Sequence, residues 1–131
     1  MKEIIPMACD HAGYELKLKI KEYLEVKGFE VKDFGTYSSD SCDYPDYAHQ
    51  LGSAIEKGDY QRGIVICGSG NGVQMTANKY CHVRCALCWI PEIARLARQH
   101  NDANVISMPA RFISEETARE IVDAFIDTPF E

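Results

Sequence analysis

The sequence predicts a three-layer α/β/α architecture built on a five-stranded parallel sheet, and three observations predict it. Short apolar runs rich in β-branched residues recur along the chain, and each is followed by a stretch of helical periodicity. The middle run, Ile64-Val65-Ile66, is continuous rather than alternating, as in a strand buried on both faces. It empties into Cys67-Gly68-Ser69-Gly70-Asn71-Gly72, a glycine-rich turn of the kind that joins a strand to a helix. Serial strand-then-helix units with right-handed crossovers place helices on both faces of such a sheet.

Each element has its own warrant. Residues 4–9 form the first apolar run, in which Pro6 is an irregularity best tolerated near a strand start or edge. Residues 13–27 follow as an amphipathic helix, with Leu16, Ile20, Tyr23 and Leu24 on one face, and Gly28 is suited to end it. Residues 29–34 are the second strand. Residues 44–57 are the second helix, with Pro45 in its first turn. The third strand and third helix (73–79) flank the glycine turn. Residues 83–87 make the fourth strand, and Pro91 opens a helix to about Gln99. Residues 103–108 are the fifth strand. Ser114 then caps a last helix whose buried stripe is Ala118, Ile121, Val122, Phe125 and Ile126. With no linker, repeat or low-complexity tract, residues 1–131 read as one Rossmann-like domain.

Composition narrows the partners. A 46% apolar content suffices for an ordinary core in 131 residues. A net charge of −6 argues against nucleic acid, whose phosphates select basic faces. It leaves small phosphorylated ligands open, since they need only a local positive site. No run approaches the roughly 18 apolar residues of a membrane span, and the start of the chain lacks a signal-peptide pattern. Cys9, Cys67, Cys85 and Cys88 lie in or beside apolar runs, where reduced cysteines pack. The expectation is a cytoplasmic, reduced protein.

The glycine turn carries the chemistry. Backbone amides at a helix start hold an anion, and the same positive end favours a thiolate at Cys67. An anion hole and a candidate base thus come together. Glycine turns also serve proteins that only bind a ligand, and free cysteines also serve as plain packing, so the turn alone leaves both readings open. A dinucleotide fingerprint needs glycine at Val73, a P-loop needs Gly-Lys-Ser/Thr, and a cysteine phosphatase needs arginine at Val73; none is met.

In parallel sheets ligands sit outside the carboxyl ends of the strands. That rule gathers Asp10-His11, the 40–47 loop, residues 67–72, His100-Asn101 and Pro109-Ala110-Arg111 into one expected composite site. Structural alternatives stand beside it. Asp10 suits a helix cap, His100 suits a helix carboxyl end, and Asn101 suits a turn. Cys85-x-x-Cys88 has metal or redox spacing but no second ligand pair, so no metal is expected. His49 and His82 show no partner in the sequence, and Trp89 reads as packing or interface.

Six ordered motifs make the chain resemble the ribose-5-phosphate isomerase type B family, which includes galactose-6-phosphate and allose-6-phosphate isomerases. They are Cys9-Asp10-His11-Ala12-Gly13, Asp43-Tyr44-Pro45-Asp46-Tyr47-Ala48, the turn 67–72, Ala77-Asn78-Lys79, Arg98-Gln99-His100-Asn101-Asp102-Ala103-Asn104 and Ala110-Arg111. The resemblance implies an aldose–ketose isomerase that works through a cis-enediolate without a cofactor or metal. It makes Cys67 the base, with Ser69 assisting and Gly68, Gly70, Asn71 and Gly72 forming the anion hole. His100 protonates the ring oxygen and Asn101 binds the sugar. Asp10 and His11 contact hydroxyls or phosphate, Tyr44 packs along the sugar, and Arg111 binds phosphate. Some members use a glutamate base just after the last glycine; Val73 holds that place here, which fits the cysteine-dependent type. The resemblance also implies a homodimer or tetramer in which a neighbouring subunit completes the site. The family usually continues into an arginine-bearing tail, whereas the sequence given stops at Thr128-Pro129-Phe130-Glu131, so phosphate binding is expected to lean on Arg111. Ribose 5-phosphate is the expected substrate. The alternatives are a hexose 6-phosphate and a non-catalytic phosphosugar-binding module.

Overall fold

The computed structural model describes residues 2–40 and 44–131, the side chains of Tyr44 and Pro45 excepted. Strand β1 (Ile4–Cys9) passes through a 3-10 turn (His11–Gly13) into helix α1 (Tyr14–Val26). Strand β2 (Glu30–Asp33) precedes α2 (Tyr44–Glu56), and β3 (Gly63–Cys67) precedes α3 (Asn71–Ala77). Strand β4 (Cys85–Leu87) leads to α4 (Pro91–Asn101), and β5 (Val105–Pro109) to α5 (Glu115–Asp127). All four pairings are parallel, in the order β2-β1-β3-β5-β4. The expected elements are present, with small shifts at their ends.

Alternation along the strands divides the core. Ile5, Met7, Cys9, Ile64, Ile66, Ile106 and Met108 face one way, against Ile20 and Leu24 of α1, Ala94 of α4, and Ile121, Val122 and Phe125 of α5. Ala8, Val65, Cys67, Cys85 and Val105 face the other way, against Ala48, Leu51 and Ile55 of α2 and Val73 and Ala77 of α3. Full burial of one such large side chain contributes about 1.5–3 kcal/mol. Ser114 caps α5 as expected, accepting the Thr117 N–H at 3.1 Å. The edge strand β2 alternates exposed Glu30 and Lys32 with half-buried Val31 and Asp33, a charged edge that resists further pairing.

Strand order makes two distant segments neighbours. The chain leaves β3 through α3, skips to the edge as β4, and returns through α4 to lay β5 beside β3. Cys67 is thereby paired with Pro109.

One expectation is corrected, that for His49 and His82, and three other residues or pairs find their places. Pro6 lies near the start of β1, as its third residue, although β1 is an interior strand. Met7 O accepts from Phe34 on the β2 side, so Pro6 turns its missing N–H toward β3, and that ladder starts only at Met7. Cys85 and Cys88 belong to cores on opposite faces of the sheet. His49 and His82 do have partners: Nδ1 of each lies 2.8 Å from Tyr80 Oη and Glu56 Oε1 respectively. Trp89 is half exposed, which leaves the interface reading rather than packing.

Candidate active site

Strand β1 sends its chain toward β2 on one side, while β3 sends its chain toward β5 and β4 on the other. Such a switch point leaves a crevice at the carboxyl ends of the two central strands. Asp10 and Cys67 are the residues at those ends. The Asp10 N–H donates to Ile66 O at 3.2 Å, and the Asp10 carboxylate accepts the Gly13 N–H at 3.1 Å. Asp10 is therefore a cap, and that bond also holds its carboxylate, which is 9% exposed, beside the end of β3. Gly13 permits this closeness: a Cβ there would lie 2.8 Å from both Ile66 O and Ile66 Cγ2. His11 opens the 3-10 turn at the same corner and is half-buried.

The glycine turn closes around the Cys67 thiol. Cys67 is nearly buried, and its Sγ accepts the Gly70 N–H at 3.1 Å. Gly70 has φ of 79°, and a Cβ there would sit 2.4 Å from Leu87 Cδ1, so both backbone and space require glycine. The buried Ser107 hydroxyl donates to Gly70 O and steadies the same peptide. The Asn71 N–H donates to the exposed Ser69 Oγ at 3.2 Å. Helix α3 has only seven residues, and its first ladder bond runs from Gln74 N to Gly70 O. The amides of Gly72 and Val73 precede that bond, and a helix of seven residues adds little dipole to them.

Arg111 reaches this turn because β5 lies beside β3. The Ala110 N–H donates to Cys67 O at 2.9 Å and the Arg111 N–H to Gly68 O at 3.0 Å. A Cβ on Gly68 would meet Arg111 Nη1 at 3.2 Å, so the guanidinium lies across the turn. The site thus carries a local positive group on a chain of net charge −6. Tyr44 opens α2, but its side chain lies outside the described residues.

His100 and Asn101 are not part of this cluster, contrary to the expected composite site. They end α4, which starts at the carboxyl edge and finishes at the amino edge of the sheet. Arg84, just before β4, donates from Nε to Asn101 O at 2.7 Å. Asn101 lines a cavity of about 590 Å³ with Arg84, Cys85 and Ala103. Strand β5 separates the two ends by its five residues, about 13 Å. Within one chain, His100 and Cys67 face opposite ends of the molecule. The signal was present in the sequence: this pair follows a helix, not a strand.

The three other buried thiols among the described residues are poor competitors. Burial pushes the Cys9 thiol up to about 11, with Lys17 opposing the rise, and pushes Cys88 up to about 12. Burial also pushes Cys85 up. Among the described residues no three His, Cys, Asp or Glu side chains group as metal ligands, and no helix is long and apolar enough to cross a membrane. Sequence reasoning missed Ser107, whose only signal was a serine inside an apolar run, and Arg84.

Known proteins share the sequence and the fold. The profile of a family described as Ribose/Galactose Isomerase matches residues 5–131. Ribose-5-phosphate isomerase B of Escherichia coli (strain K12) is 43% identical over 127 residues, spanning 97% of this chain and 85% of the relative. A ribose 5-phosphate isomerase from Thermotoga maritima superposes with a TM-score of 0.96 at 49% identity, covering 99% of this chain and 90% of the other. Ribose-5-phosphate isomerase B of Mycoplasma genitalium, solved with bound ribulose-5-phosphate, gives a TM-score of 0.95 at 42% identity, covering 100% and 88%. A profile match across nearly the whole chain, relatives above 40% identity and the shared five-stranded parallel sheet place this protein in the ribose/galactose isomerase family.

Proposed function

We propose that the protein interconverts ribose 5-phosphate and ribulose 5-phosphate through a cis-enediolate, with Cys67 as the base. The observation that carries this reading is the convergence on one turn of a thiol, backbone amides and a guanidinium, beside the Asp10 carboxylate. A thiolate at Cys67 takes the proton from C2 of the open-chain aldose and returns it at C1. The charge that develops on the substrate oxygen meets the amides of the turn, with the Ser69 hydroxyl alongside. Asp10 and His11 face the sugar hydroxyls or phosphate from β1, and Arg111 grips the phosphate.

Ring opening needs an acid, and His100 fills that role only from a second copy of the chain. Placement of His100 at the amino edge is what supports an obligatory homodimer, or a tetramer of such dimers. Half-exposed Trp89 and exposed Phe112, at the carboxyl edge, are apolar surface suited to such a contact. A twofold pair meets these needs with isologous contacts, each copy lending His100 and Asn101 to its neighbour's Cys67.

The deciding experiment is a coupled assay for ribulose 5-phosphate formation, run in parallel with galactose 6-phosphate and allose 6-phosphate. Highest kcat/KM on ribose 5-phosphate is expected; a hexose phosphate taken faster would move the assignment within the family, and binding without turnover would favour the phosphosugar-binding module. The anion hole can stabilise an enediolate by itself, so activity is expected to survive prolonged EDTA treatment. Loss on chelation with recovery on adding one divalent ion would overturn that part of the mechanism.

Arg111 gives a second, separable test. A charged hydrogen bond to phosphate is worth about 1.5–3 kcal/mol, so Arg111→Ala is expected to raise KM roughly tenfold or more. Lysine at this position should restore only part of the loss, since it lacks the planar fork. An unchanged KM in the alanine variant would place the phosphate elsewhere.

A further inference from the structure

Lys17 is fully buried in the first turns of α1, and the proposed chemistry does not use it. An ammonium group so placed must be paired. Its Nζ donates to Asp33 Oδ1 at 2.6 Å and to the Thr36 carbonyl, and lies 5.5 Å from the ring centres of Tyr14 and Tyr37. Asp33 Oδ1 also accepts the Gly35 N–H at 2.9 Å. One buried cation thus holds Gly35 through Asp33 and Thr36 directly. Those two residues extend the β2 side of the sheet past its last regular pairing. The Cys9 N–H donates to Gly35 O at 2.7 Å, and the Thr36 N–H donates to Cys9 O at 2.8 Å. The next residue in the chain is Asp10.

Buried ion pairs contribute little net stability, because desolvation offsets the attraction, while their directional bonds fix geometry. We infer that Lys17 is a positioning residue for the isomerase site: by locking Gly35–Thr36 against Cys9, it sets where the neighbouring Asp10 stands relative to Cys67. The inference rests on the isomerase reading, and wild-type turnover separates the two. An inactive wild type defeats that reading; an active wild type with indifferent variants defeats only this one.

The test uses the full chain carrying Lys17→Met with Asp33→Asn, which removes both charges and keeps both shapes. The expected result is a folded protein with a melting temperature close to wild type, a kcat/KM at least tenfold lower, and an unchanged rate of Cys67 alkylation by iodoacetamide. The same pair added to an Asp10→Ala enzyme should cause little further loss, because both changes act through one group. A folded double variant with wild-type kcat/KM would overturn the inference, as would a full additional tenfold loss on top of Asp10→Ala. Should the double variant fail to fold, Asp33→Asn alone supplies the test. It keeps an acceptor for Lys17 and Gly35, and a smaller loss with the same non-additivity is expected; wild-type turnover there would be equally fatal.

Discussion

Cys67→Ala is expected to lose about a thousandfold or more in kcat while still binding a phosphosugar. The change is chemically narrow. Cys67 sits nearly buried at the end of β3, and alanine removes one sulfur together with the bond that it accepts from the Gly70 N–H. The Ser107 hydroxyl still holds Gly70 O, and the Arg111 and Ala110 amides still bind the carbonyls of Gly68 and Cys67. Phosphate recognition and the anion hole therefore outlast the base. Cys67→Ser should fall between wild type and alanine, because a hydroxyl keeps the shape and gives up its proton far less readily. Alkylation should inactivate the enzyme, with substrate slowing the reaction. Turnover near wild type in the alanine variant, or substrate protection centred on another cysteine, would remove Cys67 from the mechanism.

His100→Ala is expected to be severely impaired on ribose 5-phosphate, and mixing it with Cys67→Ala is expected to restore activity. Each variant as a homodimer has only defective sites. If His100 of one copy serves Cys67 of the other, a mixed dimer contains one site with both groups intact and one with neither. Random exchange of subunits then returns about a quarter of wild-type activity per chain, from twofold statistics. A site made within one chain could not be rescued, because every chain in the mixture carries a defect. Co-refolding the two variants and assaying the product decides the matter. No recovery from a mixture shown to form heterodimers would defeat the shared site, and a fully active monomer by light scattering would defeat it independently. His100 lies in the last turn of α4, exposed, so its loss leaves the core untouched.

Most of the architecture was legible because local physics wrote it plainly. Apolar runs of strand length, Gly28 after α1, Pro91 opening α4 and Ser114 capping α5 are short-range signals, and the structure uses each of them where it stands. The glycine turn was legible for the same reason: a strand, a tight turn and a helix start are neighbours in the chain. Pro6 left start and edge both open because a missing N–H matters only on the side where a ladder bond is due, and that side depends on which strand lies there.

Strand order was beyond the sequence. Nothing in the composition of 85–87 or 105–109 says that the fifth strand, not the fourth, lies beside the third. Inward-facing apolar residues would suit either place, and the choice is made by how α3, α4 and α5 pack on the two faces. That choice brings Arg111 across Gly68, and it turns the switch point between β1 and β3 into a crevice. Helix direction settled the rest. Extending the strand-end rule to His100 and Asn101, which follow α4, groups them with Cys67, whereas a helix that starts at the carboxyl edge must deliver its last residues to the amino edge. The sequence by itself determined the elements and the turn and offered the candidate side chains, because these follow from neighbours along the chain. Only the tertiary structure decided which of them meet, because meeting is set by packing between segments far apart in sequence.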